Sequence, residues 1–243
     1  MSEQLSAGNS NRISLVTGAS RGIGRAVALA LAAQGDHVLL LARDADNLAS
    51  VYDEITALGG QATGIPLDIT DYAGLDRLGA VIAEKWGRLD VLVGNAAILG
   101  PMTPVAHISP DEFDKLMAVN VTANARLIRT LEPLLLASPA GRAVFVTSGV
   151  AQSAKPFWGG YATSKAALNT LVRCWAHEQK ETKLKVNLLS PGPVRTAMRA
   201  KAMPGEDPEN LPRAEEIAPL FIKMLSPDWQ ETGQIVDYRQ MVD

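Results

Sequence analysis

A tyrosine and a lysine stand four residues apart in the string Tyr161-Ala-Thr-Ser-Lys165. On a helix, positions i and i+4 share one face, so the phenol and the ammonium become neighbours. A phenol titrates near 10, and a nearby ammonium favours the tyrosinate. The spacing therefore predicts a Tyr161 pKa shifted toward neutrality, as acid–base catalysis requires. A surface Tyr–Lys pair is the alternative, and the spacing alone does not decide between them.

A glycine-rich segment, Thr17-Gly18-Ala-Ser-Arg-Gly-Ile-Gly24, lies between an apolar run and a helical pattern of small residues. Backbone N–H groups at a helix N-terminus attract phosphate, and glycines let a ligand approach the backbone closely. The segment predicts a dinucleotide site, with a plain strand–helix turn as the alternative. Because no Gly-Lys-Ser/Thr follows, the segment is not a P-loop.

The residues after the second apolar run bear on which nicotinamide cofactor is used. In a dinucleotide fold, an acidic residue here binds the ribose 2′-hydroxyl, whereas an arginine accommodates a 2′-phosphate. This chain has Ala42 followed by Arg43, and Arg21 adds a second positive charge in the glycine segment. We therefore predict NADP(H), with a solvated Arg43 as the alternative. Asp44 is expected to cap the next helix.

These residues must be positioned by an alternation of strands and helices. The alternation predicts an α/β fold, in which one parallel sheet carries helices on both faces. Strands are predicted at Ile13–Val16, Val38–Ala42, Ala62–Leu67, Leu89–Val93, Ala143–Thr147, Lys185–Leu189 and Gln234–Asp237. Helices are predicted at Arg25–Gln34, from Asp44 to Leu58, Tyr72–Trp86, Asp111–Leu136 with a bend near Asn120, Gly160–Glu181 and Ala214–Leu225. The long irregular stretch Arg199–Pro212 contains three prolines, and a lid is predicted at about residues 197–213.

Composition bounds the class of protein. The 243 residues are 47% hydrophobic and 20% charged, which is typical of a globular domain. A net charge of −3 argues against a general nucleic-acid binder. The single cysteine, Cys174, excludes an internal disulfide or a cysteine metal cluster, and we expect it to be buried. Without an apolar signal or spanning run, we expect a cytoplasmic protein with no membrane or metal partner, a mobile tail at 1–11 and one domain at 12–243.

Further motifs occur in a fixed order around those already described. Asp68 and Ile69 follow the third strand, and Gly94-Asn95-Ala96-Ala97 follows the fourth. Asn120 lies in the next helix, and Ser148 precedes Tyr161 by thirteen residues. Pro191-Gly192-Pro-Val194-Arg-Thr196 follows the sixth strand. Together these motifs resemble the short-chain dehydrogenase/reductase family over roughly residues 11–237, and the string Pro191–Ala200 is similar to that of the bacterial YciK-like oxidoreductases.

The resemblance implies a single doubly wound Rossmann domain, whose seven-stranded parallel sheet has the order 3-2-1-4-5-6-7 with helices on both faces. It also implies an NADP(H)-dependent enzyme that transfers a hydride between the nicotinamide and a carbonyl or alcohol carbon. Tyr161 would exchange a proton with the substrate oxygen, Ser148 would hold that oxygen, and Lys165 would bind the nicotinamide ribose. Asn120 would hold a water that links Lys165 to solvent. The implied cofactor-binding residues are Thr17, Gly18, Ser20, Arg21, Gly22, Ile23, Gly24, Arg43, Asp68, Ile69, Asn95, Ala96, Tyr161, Lys165, Pro191, Gly192, Val194 and Thr196.

Two departures from the family pattern and several open points remain. Gly94 and Ala97 replace the outer residues of N-N-A-G, and Tyr238-Arg239 replaces the glycines of V-D-G-G. A homodimer or homotetramer is implied, with a small-molecule carbonyl or alcohol substrate that the motifs do not name. Candidate substrate-wall residues are Leu99, Ala151, Phe157, Trp158, Pro193, Met198 and Met203. An NADP-binding regulatory or scaffold protein without turnover is the alternative function.

Overall fold

The computed structural model describes residues 12–241; the predicted tail at 1–11 lies outside them. Seven strands form one parallel sheet with the order β3-β2-β1-β4-β5-β6-β7. Their bounds are β1 Ile13–Thr17, β2 His37–Ala42, β3 Gln61–Pro66, β4 Val91–Gly94, β5 Arg142–Val146, β6 Lys185–Ser190 and β7 Ile235–Asp237. The predicted fold class and strand order are confirmed.

Nine α-helices in the described residues connect and cover the strands. They are α1 Gly22–Ala33, α2 Ala45–Ala57, α3 Tyr72–Trp86, α4 Pro110–Met117, α5 Ala123–Leu136, α6 Val150–Ser153, α7 Gly159–Glu178, α8 Ala197–Ala202 and α9 Ala214–Leu225. A π-helical turn, Ala118–Thr122, joins α4 to α5 at the predicted irregularity near Asn120.

The five central strands of the sheet, β2, β1, β4, β5 and β6, are buried on both faces, as expected for a parallel sheet with crossover helices, whereas the edge strands β3 and β7 are partly exposed. One face packs against α1, α2 and α9 through residues such as Val16 and Phe221. The other packs against α3, α5 and α7 through residues such as Phe145 and Trp175. Because all seven strands run in the same direction, their carboxyl ends lie along one edge, where the sequence motifs follow β1, β3, β4, β5 and β6.

Three predicted bounds are wrong. Helix α1 begins at Gly22 rather than Arg25, because the glycine segment itself forms the first turn. Helix α7 ends at Glu178, three residues before the predicted Glu181. The predicted irregular stretch begins with helix α8, because the Thr196 side chain accepts a hydrogen bond from the Arg199 N–H and caps it.

The prediction for Cys174 is also wrong. Its side chain is exposed on α7, because its neighbours Trp175 and Ala176 occupy the face that packs against the sheet. Within residues 12–241, no helix combines the length and apolarity that a membrane crossing requires. The same residues contain no group of three histidine, cysteine or acidic side chains arranged to hold a metal ion.

Candidate active site

The glycine segment lies directly against the amino end of α1. Gly18 and Gly22 have φ values of +65° and +55°, which favour glycine. A Cβ atom on Gly24 would lie 2.2 Å from the Gly18 carbonyl oxygen, so the loop closes only with glycine there. Helix α1 has no side-chain cap and no acidic residue in its first turn. Its first N–H groups are therefore available to an anion.

Thr17 and Asn95 connect this loop to the end of β4. The Thr17 hydroxyl accepts hydrogen bonds from the backbone N–H groups of Asn95 and Ala96 at 2.9 and 3.0 Å. The Asn95 amide donates to the carbonyls of Thr17 and Gly18. These predicted site residues thus hold the loop's shape. A Cβ on Gly94 would lie 2.2 Å from the Phe145 ring, which explains the glycine at this departure from the family pattern.

Arg43 and Asp68 face each other at the ends of β2 and β3. Their nearest nitrogen and oxygen atoms are 3.5 Å apart, and both side chains are exposed. Burial opposes ionisation of Asp68, but hydrogen bonds from Thr70 and the charge of Arg43 outweigh it and lower the pKa of Asp68. Asp44 accepts the Asn47 N–H and caps α2, which confirms that prediction. Ile69, which follows Asp68 in the chain, is buried in the core.

Tyr161 and Lys165 lie on one face of α7, as their spacing predicts. The Lys165 ammonium is 5.8 Å from the centroid of the Tyr161 ring and donates to the Val146 carbonyl at 2.8 Å. Both side chains are buried. Burial raises the pKa of Tyr161 to about 12 and lowers that of Lys165 to about 8. The prediction that Lys165 moves the Tyr161 pKa toward neutrality is therefore wrong for this structure, because desolvation dominates.

Asn120 uses its whole side chain to hold the surrounding backbone. Its Oδ1 accepts from the Ile98 N–H, and its Nδ2 donates to the Ile98 carbonyl and the Ser164 hydroxyl, each at 2.9 Å. Ser164 in turn donates to the Tyr161 carbonyl at 2.8 Å. A water held by Asn120 can use the second lone pair of its backbone carbonyl, which accepts from the Asn124 amide, or that of its Oδ1.

Ser148 follows β5 and is partly buried. Its hydroxyl oxygen accepts from the Val150 N–H at 3.4 Å, so its own O–H remains free to donate to a ligand. Val150, two residues after Ser148, packs against the apolar cluster that contains Tyr161, so the turn at Ser148 leads into that cluster.

The segment Pro191–Thr196 reaches from the end of β6 to the glycine loop. Gly192 has φ +71°, and Val194 is buried. The methyl carbon of Thr196 lies 3.4 Å from the position that a Cβ on Gly22 would occupy. The structure thus brings this predicted segment against the amino end of α1.

An apolar cluster surrounds Tyr161 and extends into α8. Its members are Leu99, Met102, Val150, Trp158, Tyr161, Met198 and Ala202. Three of the predicted wall residues, Leu99, Trp158 and Met198, lie in it, whereas Phe157 and Met203 are exposed. Met102, Val150 and Ala202 escaped sequence reasoning because small and medium apolar residues carry no local signal of their position.

Two ion pairs hold the segment after α8. Arg199 donates to both carboxylate oxygens of Glu206, and Arg195 donates to both of Glu209 at 2.8 and 3.1 Å. The Arg195 N–H also donates to the Pro212 carbonyl. The predicted lid region is therefore a folded arch whose helix α8 packs on Tyr161.

The site has the shape and polarity that a dinucleotide requires. Gly18 and Gly24 leave no room for a side chain, the first N–H groups of α1 are uncapped, and Arg21 and Arg43 provide positive charge at one end. Lys165 makes one hydrogen bond within the described residues and can donate two more. The glycines and the N–H groups of α1 fit a pyrophosphate, the two arginines fit a phosphorylated ribose, and Lys165 fits a second ribose.

A parallel sheet with this strand order and a glycine turn after β1 is a Rossmann architecture. The chain belongs to the short-chain dehydrogenase family, whose model matches residues 12–207. It is 38% identical over 231 residues to the uncharacterized oxidoreductase YciK of Escherichia coli K12, covering 93% of this chain and 91% of that protein. The family and subgroup resemblance is thereby confirmed.

Two solved structures are similar over nearly their whole length. A short-chain dehydrogenase from Shigella flexneri, complexed with NADP, has a TM-score of 0.90 and 37% identity, covering 94% of this chain and 97% of that one. A short-chain dehydrogenase from Escherichia coli CFT073, complexed with NADPH, has a TM-score of 0.89 and 38% identity, covering 93% and 95%.

Proposed function

We propose that this oxidoreductase uses NADP(H) to interconvert a carbonyl compound and its alcohol, with Asn120, Ser148, Tyr161 and Lys165 as its catalytic set. The observation that carries the proposal is the burial of Tyr161 and Lys165 on one helix face, beside the Ser148 turn and the apolar cluster. The NADP and NADPH found in the two similar structures support the choice of cofactor.

When bound, the cofactor supplies or accepts the hydride at the substrate carbon. A phenol is protonated at neutral pH, and burial, which raises the pKa of Tyr161 to about 12, keeps it so. It is therefore prepared to donate its proton to a carbonyl oxygen as the carbon is reduced. The free O–H of Ser148 donates to the same oxygen and stabilises the negative charge that develops there.

The other two members act through the backbone and the cofactor. Lys165 would hold the ribose of the nicotinamide half with its two remaining N–H groups. Asn120 fixes the loop at Ile98 and, through Ser164, the first turns of α7, so that Tyr161 keeps its position. Its carbonyl would hold the water through which Lys165 exchanges protons with solvent.

The direct test is Tyr161→Phe, assayed by NADPH consumption with a panel of aldehydes, ketones and quinones. Removal of a general acid should lower turnover by about a hundred- to ten-thousand-fold while leaving NADPH affinity nearly unchanged. Tyr52→Phe is the matched control, because that phenol lies exposed on α2. Wild-type rates in Tyr161→Phe with any reduced substrate would disprove the mechanism.

The alternative is an NADP-binding protein without turnover. It predicts NADPH binding with no reduction of any compound in the panel. The retention of all four catalytic residues favours the enzyme, because a pure binding protein has no need of the Tyr161 hydroxyl.

We also propose that two copies of the chain pair through α4, α5 and α7. An apolar groove lined by Val105, Ile108, Phe113 and Gly159 opens on this side, and Val105 is 71% exposed. A second copy would cover these residues. Light scattering at micromolar concentration should give at least twice the chain mass of 25.8 kDa, and a monomer would overturn the pairing.

A further inference from the structure

Arg239 lies across the two loops that flank the reaction end of the site. The position that a Cβ atom would occupy on Gly192 lies 3.3 Å from its Cδ and 3.5 Å from its Nε. The corresponding position on Gly149, the residue after Ser148, lies 3.8 Å from its Nη2. A side chain at Gly192 would press on Arg239, and one at Gly149 would be in van der Waals contact with it. This arginine therefore reaches from β7 toward the Ser148 turn.

Asp237 fixes the guanidinium by one edge. The Nε of Arg239 donates to Oδ1 at 3.1 Å, and its Nη2 donates to Oδ2 at 2.8 Å. Asp237 also accepts the Arg239 backbone N–H, which closes the short 3₁₀ turn Tyr238–Gln240. The side chain of Asp237 is 18% exposed and that of Arg239 is 63% exposed. Asp237 thus anchors the ion pair in the fold, while the Arg239 side chain remains accessible to solvent.

The other edge of the guanidinium is free to bind. Nη1 has no hydrogen-bond partner among residues 12–241, and Nη2 has a second N–H. An arginine held through Nε and one terminal nitrogen presents its remaining N–H groups in a fixed direction, which suits a planar carboxylate. Arg195 differs, because both of its terminal nitrogens donate to Glu209.

We propose that Arg239 determines substrate specificity by binding an anionic group, and that the substrate is an oxo acid or the corresponding hydroxy acid. This inference rests on the proposed function. The apolar cluster around Tyr161 would contact the carbon chain that carries the reacting carbonyl, while Arg239 would bind the carboxylate at the β6–β7 side of the site.

The first test compares oxo acids of increasing chain length with their methyl esters. The wild type should reduce at least one acid more efficiently than its ester. Arg239→Gln should lower kcat/KM for that acid by about ten- to a hundred-fold, mainly through KM, and change the ester by less than about twofold. Arg77→Gln is the control, since Arg77 is an exposed arginine on α3 with a 3.5 Å contact to an aspartate.

The second test measures binding without turnover. Hexanoate and its uncharged analogue hexanamide are titrated onto protein saturated with NADP⁺, and tryptophan fluorescence reports occupancy because Trp158 lies in the cluster. The wild type should bind hexanoate more tightly than hexanamide, and Arg239→Gln should abolish the difference.

The outcomes separate the two claims. Tyr161-dependent reduction of neutral carbonyls with no preference for acids would overturn the role of Arg239 and leave the proposed function standing. If no carbonyl is reduced, the proposed function fails, and the hexanoate titration still tests whether Arg239 binds a carboxylate. Equal loss for acid and ester in Arg239→Gln would identify a structural role and overturn the inference.

Discussion

The two ends of the site are built by opposite means. At the cofactor end, the absence of side chains is decisive. Gly18, Gly24 and the start of α1 approach one another more closely than a methyl group would allow. At the reaction end, side chains are decisive: Lys165 and Asn120 are buried, and each is held by directed hydrogen bonds.

This difference has consequences for energy and for variation. A backbone cradle requires no buried charge and serves any pyrophosphate in the same manner. A buried ammonium costs desolvation free energy, which lowers the pKa of Lys165 to about 8. The reaction end thus sacrifices stability for chemistry, and its specificity can change through single side chains such as Arg239.

The largest expected effect comes from filling the cradle. A Cβ in Gly24→Ala would meet the Gly18 carbonyl, so the loop must shift, and NADPH affinity should fall by more than about a hundred-fold with a stability loss of about 1–3 kcal/mol. Gly205→Ala is the matched control in the arch, since a Cβ there meets open space. NADPH titration and urea unfolding measure both. Unchanged affinity in Gly24→Ala would refute the cradle.

The next effect concerns the buried charge. Lys165→Met should stabilise the folded protein at neutral pH by about 2 kcal/mol, because it removes the desolvation cost and loses one hydrogen bond. The turnover of Lys165→Met should be lower than that of the wild type. Burial lowers the Lys165 pKa from 10.5 to about 8, so between these values the unfolded chain binds more protons than the folded one.

The sign of the pH effect follows from that difference. As pH rises from about 8 toward 10.5, the free energy of unfolding of the wild type should increase relative to that of Lys165→Met. Below pH 8 the difference between the two proteins should be constant. Urea unfolding of both proteins at neutral and at high pH measures it. If Lys165→Met is destabilised, and its difference from the wild type in free energy of unfolding does not change with pH, the ammonium is well solvated.

A third effect, similar in size, concerns the phosphate end. The exposed pair between Arg43 and Asp68 is worth little, so Arg43 can turn to a 2′-phosphate. Wild-type protein should bind NADPH about ten- to a hundred-fold more tightly than NADH. Ala42→Asp combined with Arg43→Ala should reverse the order, while Arg77→Ala should not change it. Equal wild-type dissociation constants would contradict the assignment.

Sequence reasoning located most of the site because its motifs follow the strands. The apolar runs predict the strands, and parallel strands bring the residues after them to one edge, so Thr17, Asn95 and Ser148 fall together without further information. The helix pairing of Tyr161 with Lys165 follows from the period of 3.6 residues.

Features that depend on tertiary contact could not be read this way. Burial reverses the expected shift of the Tyr161 pKa, and no local pattern reports how deeply a phenol will be buried. The approach of Arg239 to Gly149 and Gly192 joins residues from three separate strand ends. The exposure of Cys174 depends on which stripe of α7 meets the sheet, a choice that adjacent apolar residues left ambiguous.

The smallest expected effect concerns the arch over the reaction end. We propose that residues 197–213 act as a lid, because α8 packs on Tyr161 and the arch is closed by the Arg199–Glu206 and Arg195–Glu209 pairs. NADP(H) should slow tryptic cleavage at Arg199 and Lys201 by severalfold, since a bound ligand favours the closed state. Glu206→Gln should speed cleavage in the absence of cofactor by a similar factor and keep both cleavage sites. Glu231→Gln, which alters an exposed carboxylate outside the arch, is the control. Fragment masses locate the cuts. Cleavage that is equally fast with and without NADP(H), at sites within 197–213, would mean that the arch does not close over the site.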